Sequence, residues 1–196
     1  TYCKKNKIVL ISDEIYHGIE YERKTYPILS LGNKAITINS FSKFFCMPGW
    51  RLGWTVIPNE LKENFLKLSQ NLFISSNNIA QYSAIKIFDC LDQLVVNVDN
   101  YKLGRDIVMK ELSKVDVLSF SIPHGAFYFY INIQKTKMES TKLVKKILKE
   151  TGVALTPGVD FDKITGERSI RLSFSSDFRI VQDAVEKLSK WFKENY

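Results

Sequence analysis

Histidine and cysteine are scarce in this chain of 196 residues, which has two of the first and three of the second. Cys3, Cys46 and Cys90 are scattered and form no CxxC pair. That argues against a disulfide framework and against a Cys/His zinc site, so no metal is expected and a reducing cytoplasm is the expected setting. Long hydrophobic runs are missing as well. Nothing approaches the roughly 18 apolar residues of a membrane span, and the polar, basic stretch from Thr1 to Lys7 does not resemble a signal peptide. There are no internal repeats and no low-complexity stretches.

What is present suits a globular protein: 45% hydrophobic and 25% charged residues, with a net charge of +7. The positive charge raises a nucleic-acid reading. The lysines, however, sit on helical faces, as in Lys142, Lys145, Lys146 and Lys149 beside the apolar stripe Leu143, Val144, Ile147 and Leu148. No basic stripe with interleaved aromatics accompanies them, so a solvated lysine face is the better reading and no nucleic-acid partner is expected. Some positive charge would also suit an anionic cofactor and acidic substrates.

Ile8–Ile11 is a short, wholly apolar run, as in a strand buried on both faces of a parallel sheet. The chain enters it almost at once after Thr1, the pattern expected of a fragment. Ala35–Ile38 is a second such strand, and Leu52–Ile57 a third. Helices are expected over 59–68, 78–90 and, broken only by Gly104, 91–115, with a domain boundary near Asn97. Ala126–Ile133 alternates as a half-buried strand. A helix over 140–151, strands over 153–156 and 169–175, and an amphipathic helix over 178–193 follow. The resulting fold class is α/β.

Polar groups gather where the first two strands end. Ser40-Phe41-Ser42-Lys43 puts a lysine just past a buried strand, where an amine can form a Schiff base with a carbonyl cofactor and later carry a proton; alone, such a motif is usually a surface loop. Arg51 lies in Gly49-Trp50-Arg51-Leu52-Gly53, where glycines permit close backbone approach and a planar guanidinium suits a phosphate; alone, it reads as an arginine salt-bridged beside a tight turn. Asp13-Glu14-Ile15-Tyr16 ends the first strand, and a carboxylate buried there needs a cationic partner. A capping Asp with a packing Tyr is the plainer alternative. His17 and His124 read as loop and turn residues.

In order and spacing, these three segments resemble the cofactor signatures of class I/II aminotransferases of fold type I, with the nearest likeness to bacterial enzymes of the aspartate type. Pro123–Tyr128, Thr156–Phe161 and Arg171–Phe174 add to the resemblance, which covers essentially the whole chain. It implies the C-terminal half of a pyridoxal 5'-phosphate (PLP) transferase fold. Residues 1–97 would be the C-terminal part of the PLP-binding large domain, with parallel-type strands, and residues 98–196 a small α+β domain. Lys43 would be the catalytic Schiff-base lysine and proton shuttle. Asp13 would pair with the pyridinium nitrogen, and Tyr16 would bond the 3-oxygen. Ser40, Ser42 and Arg51 would hold the phosphate, and Arg171 would clamp the substrate α-carboxylate.

The implied activity, part of amino acid metabolism, moves an amino group between an α-amino acid, aspartate among the candidates, and a 2-oxo acid. The implied assembly is a homodimer, with a separately encoded N-terminal half as a further partner. A truncated, non-catalytic remnant or binding module, and a PLP lyase of the same fold, are the alternatives.

Overall fold

The structure, a computed structural model, describes residues 2–32 and 34–196. It forms two compact units, Thr1–Val96 and Asn97–Tyr196.

In the first unit a short helix α1 (Tyr2–Lys5) precedes strands β1 (Leu10–Asp13), β2 (Ala35–Ser40) and β3 (Gly53–Val56), which form a sheet in the order β1-β2-β3. β1 runs parallel to β2, with Asp13 opposite Ile38, whereas β3 is antiparallel to β2, with Ser40 opposite Gly53. The third strand therefore departs from the parallel expectation. Residues 41–52 hold only a one-turn 3-10 segment, Pro48–Trp50, and no crossover helix that could return the chain in parallel. β1 also starts two residues later than its apolar run, and Ile8, Val9 and Ile11 are exposed. Such a run has the hydrophobicity of a strand buried on both faces, but within this sheet β1 is an edge.

Helices α2 (Lys62–Leu72) and α3 (Asn78–Ile87) follow. The helix expected from 59 begins as a 3-10 turn, Asn59–Leu61, ahead of α2. The α3 cap is Asn77, whose side chain accepts from Ala80 N at 3.1 Å. Ala80 and Ala84 are the buried positions of α3, while the larger residues Ile79, Tyr82 and Ile85 are exposed. The small core gathers Phe41, Met47 and Ala84, with Phe45, Leu52 and Ile87 against them.

Helix α4 (Leu91–Leu112) crosses the division between the units. It passes through Gly104 unbroken: a Cβ there would lie 3.4 Å from Phe174 O, so the glycine permits close packing without ending the helix. The second unit carries β4 (Ser119–Phe120), β5 (Tyr128–Asn132), α5 (Ser140–Thr151), β6 (Thr156–Pro157), β7 (Ser169–Ser173) and α6 (Phe178–Asn195). Its four strands are antiparallel in the order β4-β5-β7-β6. One face of the sheet is apolar and buried: Phe129, Ile131, Ile170 and Leu172 form a core together with Leu143 and Ile147 of α5 and Val185, Leu188 and Phe192 of α6. The other face carries Tyr128, Tyr130 and Arg171, as a period of two requires. Gly152, left-handed at φ 75°, stops α5, and Asp177 caps α6 through Arg179 N at 2.9 Å.

Candidate active site

In the first unit the polar residues collect where β1 and β2 end. Glu14 N donates to Ile38 O at 2.8 Å, carrying the chain past the strand into the Ile15–Gly18 turn. Glu14 serves that turn: its Oε1 accepts from Ile28 N at 2.8 Å and from Ser12 Oγ at 3.2 Å, and His17 Nδ1 lies 3.7 Å from its Oε2. Asp13 is left for other work. Its Oδ1 accepts from Ile15 N at 3.2 Å and no cation pairs with it among the described residues. It is exposed, not buried, so burial alone does not demand a cationic partner; the edge position of β1 explains the difference.

The loop after β2 is pinned by buried Phe41 and Met47, with Met47 N donating to Phe41 O at 2.9 Å. Phe41 packs with tilted rings against both Phe45 and Trp54, each at 4.9 Å between centroids. Between the anchors, Ser42 N donates to Ser40 Oγ at 3.0 Å, and the two hydroxyls are 2.9 Å apart. Half-buried Lys43 places its Nζ 5.7 Å from the centre of the Tyr16 ring. Gly18 makes this approach feasible. At φ 88°, a Cβ on it would fall 2.7 Å from the Phe44 ring, so only glycine lets the Tyr16 turn lie against the lysine loop.

Arg51 sits at φ 53°, a left-handed conformation that costs a non-glycine residue roughly 1–3 kcal/mol and often marks function. Among the described residues its guanidinium makes one hydrogen bond, to Pro48 O at 2.9 Å, which leaves most of its donors unspent there. Of the two glycines read as permitting close approach, Gly53 does so, since its Cβ would meet Asn39 O at 2.7 Å. Gly49 faces open space.

In the second unit three sequence segments converge on Arg171. It lies opposite Tyr130 of β5 and Thr156 of β6. Its guanidinium carbon is 4.3 Å from the Tyr128 ring centre and 4.1 Å from that of Phe161. Its Nε is buried and has no hydrogen-bond partner among the described residues. The Pro123–Tyr128 segment is steadied by buried Arg105, which donates to Pro123 O at 3.1 Å and forks onto Asp106 Oδ1 at 2.8 and 2.9 Å. Sequence reading passed over Gly18 and Phe161 as site residues. A glycine two positions past Tyr16 was the available signal for the first; the second closes the Thr156–Phe161 segment of the family resemblance, but its contact with Arg171 runs across strands.

One amine, one phenol, one carboxylate, two hydroxyls and a guanidinium with donors to spare form a donor set that fits a phosphorylated pyridine aldehyde such as PLP. No group of three or more His, Cys, Asp or Glu suited to a metal occurs among the described residues. No helix among them is long and apolar enough to cross a membrane.

The sequence profile of the family described as aminotransferase class I and II matches residues 1–188. Valine–pyruvate aminotransferase of Mycobacterium tuberculosis is 30% identical over 97% of this chain and 50% of its own length. Aspartate aminotransferase of Sulfolobus acidocaldarius is also 30% identical, over 98% of this chain and 50% of its own length. The crystal structure of an aminotransferase from M. tuberculosis superposes with a TM-score of 0.93 at 29% identity, covering 98% of this chain and 51% of that one. The chain thus spans about half the length of the curated relatives it matches.

Proposed function

The chain belongs to the aminotransferases of class I and II, and on that premise we propose that it carries the lysine-bearing half of a site that moves an amino group between α-amino acids and 2-oxo acids. PLP, when bound, supplies the electron sink for breaking the substrate Cα–H bond. Lys43 would hold the cofactor through its amine. The Lys43 amine would also be the group that takes up and returns the proton of the substrate Cα. Asp13 would face the ring nitrogen and favour its protonated form, and the Tyr16 hydroxyl would donate to the 3-oxygen. Ser40, Ser42 and Arg51 would hold the phosphate, the arginine through its planar fork. Arg171 recognises the α-carboxylate that these substrates share.

The proposal includes a homodimer. It also includes a segment equivalent to the other half of the relatives' length, which would complete the contacts to the cofactor. Cys3, Cys46 and Cys90 form no disulfide among the described residues, which suits a cytoplasmic setting. Aspartate is the first donor to assay.

The observation that carries this reading is the half-buried Lys43 amine set against Tyr16, at the strand ends that also bear Asp13 and Ser40. Titration of the purified chain with PLP, followed by borohydride reduction and peptide mapping, tests it. A visible absorbance band with the label on Lys43, absent from Lys43→Ala, is the expected result. No band, or label spread over the surface lysines, would overturn the reading.

A further inference from the structure

We propose that Tyr128 and Phe161 are positioning residues for Arg171: two aromatic faces that hold its guanidinium in place while leaving its N–H groups free for a substrate carboxylate. The inference rests on the reading of Arg171 as the α-carboxylate site and adds how that arginine is kept ready.

An arginine fixed by an acidic neighbour spends its donors on that neighbour, as Arg105 does on Asp106. Arg171 is fixed differently. Its guanidinium carbon stands 4.3 and 4.1 Å from two ring centres, contacts that engage the cation through the ring quadrupole and consume no N–H group. Its Nε is buried without an acceptor among the described residues. An orphaned buried donor is rare and costly unless something else satisfies it. A planar carboxylate arriving at the edge of the guanidinium satisfies it in bidentate geometry. A lysine at this position would present neither the flat face nor the fork.

The two rings reach Arg171 from different neighbours of its strand. Tyr128 belongs to β5, opposite Ser173 and so diagonal to Arg171. Phe161 follows β6, which pairs with the other edge of β7. The turn bearing Phe161 is itself braced. Phe161 N and Asp162 N both donate to Gly158 O at 2.9 Å. Gly158 lies so close to Gly166 that a Cβ on either would come within 2.4–2.5 Å of the other's backbone. Asp162 then gathers the loop, its Oδ1 accepting from Ile164 N at 2.8 Å and Thr165 N at 3.2 Å. An exposed phenylalanine held this firmly calls for a reason, and the cation beside it supplies one.

The test uses the full chain labelled with nitrogen-15. The Nε–Hε resonance of Arg171, assigned by its loss in Arg171→Ala, is followed during titration with propionate at constant ionic strength; propionamide is the uncharged control. The resonance is expected to move with propionate alone. Phe161→Leu and Tyr128→Leu should weaken propionate binding roughly tenfold, while Phe161→Tyr and Tyr128→Phe, which keep the ring, stay within about twofold. Leucine variants that bind like the wild type would overturn the clamp, and so would ring-keeping variants as weak as the leucine ones. A wild-type resonance that propionate leaves unmoved would overturn the clamp and the role of Arg171 together. The transfer reading is judged separately, by the labelling of Lys43.

Discussion

The two units spend their apolar residues differently. The second buries Phe129, Phe174 and Phe192 completely beneath an antiparallel sheet and two amphipathic helices, and so carries its own core. The first has a comparable supply of large apolar side chains, yet leaves Ile74 85%, Tyr82 74% and Ile85 64% exposed, and closes its small core around an aromatic cluster. A stripe on a helix therefore establishes that the helix has an apolar face. It does not establish that the same chain covers that face.

The largest expected effect breaks or upholds this contrast directly. Phe129→Ala removes a fully buried ring and should cost about 3–5 kcal/mol of stability in denaturant unfolding. Ile85→Ala, on the exposed stripe of α3, should change stability by less than about 0.5 kcal/mol. A cost at Ile85 approaching that at Phe129 would mean the α3 stripe is covered in solution, and the contrast between the units would collapse.

Glycines sharpen the comparison at an intermediate size. Gly158→Ala in the second unit and Gly53→Ala in the first each drive a Cβ against backbone atoms, at 2.4 and 2.7 Å. Neither obstacle is a flexible side chain, so each variant should lose about 1–3 kcal/mol. Gly49→Ala, in open space, should be neutral within about 0.5 kcal/mol. A thermal melt of the three proteins decides it: equal midpoints would show that the close approaches tolerate relaxation.

The same contrast explains what could be read from the sequence. Helix α5 was legible to the residue because its lysines and apolar side chains alternate with a period that one unit satisfies internally. β5 was legible because Phe129 and Ile131 face a core the unit supplies. Ile8–Ile11 misled about burial because its surroundings lie outside the pattern, and the direction of β3 was hidden because strand patterning carries no sign for parallel or antiparallel pairing. Asp13, Tyr16, Lys43 and Arg171 stood out through family resemblance, whereas Phe161 meets Arg171 across strands that no local spacing connects. Gly53 and Gly158 look alike in sequence to Gly49, and only the backbone that approaches them tells them apart.

The smallest expected effect compares two carboxylates that tie loops in the same way, one in each unit. In the second, the Thr165 hydroxyl, with the amides of Ile164 and Thr165, holds the Asp162 carboxyl below its ordinary 3.8. In the first, burial pushes the Glu20 carboxyl up, but hydrogen bonds from Thr25 and Gly18 and the charge of His17 outweigh it and hold it below its ordinary 4.5. A carboxyl depressed by folding contributes stability that is present above its unfolded value and is lost as pH falls through the lower folded value. Amide-exchange protection at Thr25 should therefore start to fall as pH drops below 4.5, and at Ile164 and Thr165 only below 3.8. Glu20→Gln and Asp162→Asn should flatten the respective profiles, each leaving the other loop unchanged. Protection that rose on acidification, or that fell at both loops together, would show that the loops answer to a shared opening of the chain and not to their own carboxylates.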